Sequence, residues 1–164
     1  MPKRLTDYPV RGWLRRVVRL PIWLYRVRLG WLLGNRFLML THVGRKTGLP
    51  RQTVLEVVRH DAATDAYVVA AAWGEKSHWF CNIQKISEVV VHVQGRRFEA
   101  TAVRLSVEEG ERELFDYARR HPMAFGELTG LLMGERLKGA EEDCRRLAQM
   151  IPLVAFRLRE AKGC

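Results

Sequence analysis

The stretch RFLMLTHVGRKTGLPRQTVLEVVR, residues 36–59, decides the fold. Its two ends, 36–43 and 51–59, are apolar and rich in β-branched side chains, and between them Gly44 to Pro50 supply two glycines and a proline. Runs of this kind joined by turn residues predict two neighbouring strands. Working towards the C-terminus, His60–Ala66 reads as a polar hairpin loop and Tyr67–Ala72 as a third strand that ends in small residues. Ser77 is placed to begin a short helix, His78–Lys85. Glu88–Val93 and Arg96–Leu105 flank Gln94-Gly95, a tight-turn pair. Ser106-Val107-Glu108-Glu109 has the S-x-x-E form of a capping box, opening a helix to about Arg120 that Pro122 ends. Residues 123–150 read as helix in two pieces, broken near Gly134 or Gly139, and Ile151–Leu158 as a closing strand. Five or six short antiparallel strands in one domain predict a small barrel, because closure removes the exposed edges such a chain must otherwise protect.

Towards the N-terminus the chain changes character. Trp13, Val17, Leu20, Leu24, Val27 and Trp31 fall three and four residues apart, a single apolar stripe that predicts an amphipathic helix over residues 10–33, interrupted at Pro21. Residues 1–36 carry nine Lys and Arg against the single acid Asp7, so most of the chain's net charge of +10 belongs to this segment and the remainder is nearly neutral. Two regions follow: a basic amphipathic segment, 1–34, and a folded domain, 35–164. Arginines recurring through residues 11–28 argue against a signal peptide and against a helix that spans a bilayer. They suit peripheral contact with an anionic membrane surface, and the apolar stripe favours lipid over nucleic acid; the same stripe equally suits a helix that packs on the barrel. The cysteines Cys81, Cys144 and Cys164 form no C-x-x-C pair, which fits reduced thiols in a cytoplasmic protein. Cys81, on a helix among aromatics, reads as a core residue.

The 164-residue chain lacks G-x-S-x-G, G-x-G-x-x-G, H-x-H and H-E-x-x-H, so neither a serine triad, a dinucleotide fingerprint nor a zinc site is expected. Gly44-Arg45-Lys46-Thr47-Gly48-Leu49-Pro50-Arg51 has the composition of an anion cradle, glycines allowing close backbone approach and Arg and Lys supplying charged donors. A solvated basic turn is the plainer reading of the same residues. A nucleotide triphosphate loop is rejected, because Arg45 stands where that loop needs glycine and a strand follows. Ala70-Ala71-Ala72-Trp73-Gly74, then Ser77, Trp79 and Asn82, make a second pattern. It reads either as a tight strand-to-helix corner or as a flat pocket wall with a helix N-terminus facing an anion. With no reactive constellation of its own, the chain is an enzyme only if a cofactor carries the chemistry.

These residues resemble the deazaflavin (F420)-dependent nitroreductase-like family. The match runs over Leu38-Met39-Leu40-Thr41-His42-Val43-Gly44-Arg45-Lys46-Thr47-Gly48-Leu49-Pro50-Arg51, then Val68-Val69-Ala70-Ala71, Gly74, Trp79 with Asn82, Val91 with Val93, and Ile151-Pro152. The resemblance implies an α+β fold, a split β-barrel of antiparallel strands with flanking helices, that binds coenzyme F420. It implies that Arg45, Lys46 and Arg51, with Thr47 in the same turn, hold the cofactor's phosphate and acidic tail. Ala71, Ala72, Trp73 and Gly74 would line its ring, and Ser77, Trp79 and Asn82 would close the side. The reduced deazaflavin would pass a hydride to a quinone or another small acceptor, with no catalytic side chain and no metal. Nitro-reducing members place tyrosines ahead of the last strand, and His121–Glu127 has none. The alternatives are a related barrel using FMN and a non-enzymatic module that docks on membrane or nucleic acid through its basic helix.

Overall fold

The computed structural model describes residues 36–159; the helix predicted over residues 10–33 lies outside them. Six strands, β1 (Phe37–Val43), β2 (Pro50–Asp61), β3 (Ala66–Ala70), β4 (Glu88–Val93), β5 (Arg96–Arg104) and β6 (Leu153–Leu158), close into a barrel in the order β1-β2-β3-β6-β5-β4. Every pairing is antiparallel, and β4 completes the ring against β1 through Met39–His92, Leu40–Val91 and Thr41–Val90. The last strand is inserted between β3 and β5, so the barrel cannot close until the C-terminal end of the domain arrives. The predicted α+β barrel is therefore the observed one.

Strand alternation separates two cores. Leu38 and Leu40 of β1, Leu55 and Val57 of β2, Val89, Val91 and Val93 of β4 and Phe156 of β6 point into the barrel. One helix, α1 (His78–Lys85), contributes Trp79, Phe80 and Ile83 to this interior. The outward faces of β2, β3 and β6 carry Val58, Val68, Leu153 and Ala155, and pack under α2 (Val107–Arg120), α3 (Pro122–Met133) and α4 (Glu141–Met150). A bulge between Val57 and Arg59 makes this possible on β2: Val57 stays inside while Val58 turns to the helices.

The local signals explain the element ends. Gln94 and Gly95 both have positive φ, 51° and 77°, as a two-residue hairpin turn with the strands' own twist requires. The capping box is complete: Glu109 N donates to Ser106 Oγ and Ser106 N donates to the Glu109 carboxylate. Pro122 ends α2 and also starts α3 at its first position, where the missing N–H costs nothing. Gly134 terminates α3 with φ 79°. Gly139 packs against Ala118, and a Cβ there would come within 2.5 Å of the Ala118 Cβ.

Several boundaries differ from expectation. The loop after β2 is only residues 62–65, because His60 and Asp61 still pair with Tyr67 and Ala66. β3 stops at Ala70: Ala71 N donates to Pro152 O, and Gly74 N then folds back to Ala71 O. β6 starts at Leu153, not Ile151, because Ile151 N still donates to Leu147 O at the end of α4 and Pro152 has no N–H. Cys81 is half-buried rather than core, its thiol donating to the Glu75 carbonyl, whereas Cys144 is buried in the helical layer.

Candidate functional site

The turn between β1 and β2 is held from within. Gly44 N donates to Leu49 O and Gly48 N to Gly44 O, each at 2.8 Å, and Leu49 N reaches Thr47 Oγ1 at 3.3 Å. A Cβ on Gly44 would lie 2.8 Å from Thr47 Oγ1, so glycine is needed there for space, while Gly48 is needed for its φ of 68°. Thr47 thus shapes the turn. Lys46 and Arg51 are exposed and make no ion pair or hydrogen bond among the described residues.

Arg45 is fixed differently. Asn82 Oδ1 accepts from the Arg45 backbone N at 3.1 Å and from its guanidinium at 2.9 Å. The guanidinium also reaches the His78 carbonyl at 3.5 Å, and Lys85 Nζ donates to Arg45 O at 3.4 Å. Both His78 and Lys85 belong to α1, so the helix that plugs the barrel also orients the basic turn. Asn82 is buried, and its amide nitrogen lies 3.1 Å from His42 Nδ1. His42 shares the inward face of Leu38 and Leu40 at the end of β1. Burial, with the Arg51 cation on the paired position of β2, pushes the His42 pKa down to about 4.

The corner before α1 is tight. Ser77 N and Ser77 Oγ both donate to the Gly74 carbonyl, at 3.1 and 2.9 Å, and Gly74 has φ 74°. Ser77 occupies the predicted cap position, but its hydroxyl is used on Gly74 and no side chain caps α1. Trp73 is 37% exposed, Gly74 half-buried and Ala72 packed against the helical layer. Ala71 and Trp79 are members of the barrel core, and Trp79 meets Phe80 edge to face at 6.0 Å.

Of the predicted site residues, the structure brings Arg45 and Asn82 into direct contact. It joins the turn to the Trp73–Ser77 corner through the first turn of α1. Ala71 and Trp79 it directs chiefly inward. His42, Lys85 and the His78 carbonyl were not anticipated. The available signal for His42 was its place on the inward alternation of β1, two residues after Leu40. Two clefts, of about 590 and 500 Å³, open elsewhere, beside the start of α2, and none of the predicted site residues lines them. The first is lined by Arg59 and Glu113, whose bidentate pair at 2.7 and 2.8 Å satisfies both charges. Among the described residues no helix is long and apolar enough to cross a membrane.

The fold is shared with solved structures. An F420-H2 dependent reductase superposes with a TM-score of 0.51 at 21% identity, over 76% of this chain and 96% of its own. A pyridoxamine 5′-phosphate oxidase-related, FMN binding protein from Nostoc punctiforme gives 0.54 at 15%, over 93% and 82%. A protein of unknown function from Agrobacterium tumefaciens gives 0.55 at 16%, over 87% of this chain and 56% of that one. At these identities the likeness is one of fold. No curated protein gives a significant sequence match. The model of one family, F420H(2)-dependent quinone reductase, matches residues 17–128, a span that contains the whole β1–β2 turn, the Trp73–Ser77 corner and α1. The chain belongs to that family and is an oxidoreductase that uses coenzyme F420.

Proposed function

We propose that the β1–β2 turn and the N-terminal half of α1 form the cofactor seat, and that the acceptor reduced there is a quinone. The observation that carries this reading is the donor set. Arg45 and Lys46 stand on the tight turn and Arg51 beside it at the start of β2, with no carboxylate on any of them among the described residues, and Lys85 reaches the same turn. A phosphate and an acidic tail suit such a set, since charge-assisted contacts to exposed Arg and Lys need no rearrangement of existing ion pairs. The uncapped start of α1 adds the positive end of a helix dipole beside it. When bound, the reduced deazaflavin supplies the hydride; the chain supplies placement and electrostatics.

In this reading Lys46 and Arg51 bind the anionic groups, while Arg45 is oriented by Asn82 to join them. Thr47 keeps the turn closed. Trp73 and Gly74, with the small Ala72, offer the exposed edge against which a flat ring rests. Ser77 holds the corner, and Ala71 and Trp79 support it from the barrel side. The lack of tyrosine in His121–Glu127, now the N-cap and first turn of α3, favours a quinone over a nitro compound as acceptor. The family description likewise names a quinone.

The same proposal gives residues 10–33 a place on an anionic membrane, at the inner face of the plasma membrane, where lipid-soluble quinones are found. Its support is the excess of positive charge over residues 1–36. Two measurements test the reading. Mixing the full chain and reduced F420 with a naphthoquinone or with a nitroaromatic, cofactor oxidation is expected to be faster with the quinone; no oxidation with the quinone refutes the acceptor assignment. In vesicle co-sedimentation the full chain is expected to pellet with anionic lipid, and the triple change Arg15→Glu, Arg16→Glu, Arg19→Glu to weaken this. Equal pelleting of both proteins removes the membrane contact.

A further inference from the structure

The hydrogen bonds around Asn82 determine the protonation of a buried histidine. Asn82 Oδ1 is committed to two donors of Arg45, so the amide must present its NH2 to His42. An NH2 at 3.1 Å from Nδ1 needs an acceptor there. His42 is therefore neutral, with its proton on Nε2. With the proton on Nδ1 instead, Asn82 would have to turn end for end, and its NH2 would then face the Arg45 backbone N–H and guanidinium. His42 is only 4% exposed, and the same burial that excludes water makes an unmatched pair of donors costly.

We propose that His42 is a positioning residue of the cofactor seat: its Nδ1 lone pair orients the Asn82 amide, and the amide orients Arg45 and the turn that bears Lys46. This rests on the reading that the turn is the cofactor seat. His42 acts through Asn82 and does not touch the cofactor. The depressed pKa agrees, because the cation would lose the acceptor on which the chain of contacts depends.

Two readouts test it, one of them without cofactor. Nitrogen-15 NMR of the full chain at neutral pH is expected to show His42 as the neutral Nε2–H tautomer; an Nδ1–H tautomer or a cationic ring overturns the proposal. Fluorescence titration with F420 then compares wild type, His42→Leu and His42→Asn, each first checked for folding by thermal melting. Loss of the acceptor in His42→Leu is expected to weaken binding about tenfold. His42→Asn places an oxygen where Nδ1 stood and is expected to bind within about threefold of wild type, the difference a shifted acceptor allows. Equal affinity in all three, or equal loss in both variants, overturns the positioning role; Lys46→Glu titrated alongside separates the causes, since it weakens binding if the turn is the seat and binds as wild type if the seat reading itself fails. Failure of wild type to bind F420 overturns the seat reading and this proposal with it, and leaves the tautomer assignment standing.

Discussion

The helical layer and the β1–β2 turn both carry charged groups and use them in opposite ways. Around α2 and α4 the charges answer one another: Arg59 with Glu113, Arg145 with Glu111, Arg120 with Asp116. At the turn, Lys46 and Arg51 find no carboxylate among the described residues, and the neutral Asn82 orients Arg45. Ion pairs complete within the fold leave little field for a ligand. Cations held on a rigid turn by neutral groups keep theirs. The difference separates a layer that stabilises the barrel from the edge we propose as the cofactor seat, and it can be probed from the side of stability or of binding.

The largest stability effect is expected in the helical layer. Phe125 is fully buried against Gly139 and the neighbouring helices, so Phe125→Ala should cost about 3–5 kcal/mol in urea unfolding. The fraction that remains folded should bind F420 as wild type does. Weakened binding per folded molecule would show that the two regions are coupled.

Next is the dependence on acid. His42 is held near a pKa of about 4 in the folded state and reverts to about 6.5 on unfolding, so between these values the unfolded chain binds more protons. Stability therefore falls as pH drops through this window and levels off below it, a loss on the order of 3 kcal/mol for His42. His92, also lowered by burial, adds in the same direction. The carboxylates whose pKa values are depressed, Asp65 and Glu109 among them, begin to lose their contribution only below their ordinary range, so they act at the acid end. His42→Asn should flatten the slope between neutral pH and about 4 in urea unfolding followed by circular dichroism; an unchanged slope would contradict the buried, neutral assignment. Smaller again is Ser106→Ala, which removes one side of the α2 capping box and should cost about 1 kcal/mol without altering F420 affinity.

The barrel was legible because its signals are local. The glycines and proline of residues 44–50, the Gln94-Gly95 pair and the Ser106–Glu109 box each act within a few residues, and each lies where expected. The strand ends at Ala70 and Leu153 were not legible, because Gly74 N folding back to Ala71 O decides the first and Ile151 N staying on Leu147 O decides the second, and neither contact has a sequence signal of its own. The site divides in the same manner. Arg45, Lys46 and Arg51 announce themselves by composition. That Ala71 and Trp79 face the barrel core follows only from how α1 plugs the barrel. His42 signals only its place on the inward alternation of β1, since its partner Asn82 is forty residues away and meets it only after α1 docks on β1.

The central claim is that unpaired charge on the turn, and not positive charge in general, seats the cofactor. It is tested most directly by titrating F420 into wild type, Lys46→Glu and Arg145→Glu, two variants with the same change in net charge. Lys46→Glu is expected to leave the unfolding midpoint in place and to lose about 1.5–3 kcal/mol of binding, roughly tenfold or more in affinity. Arg145→Glu, in the helical layer, is expected to bind as wild type. Equal affinity for Lys46→Glu and wild type, or an equal loss in both variants, would contradict the account.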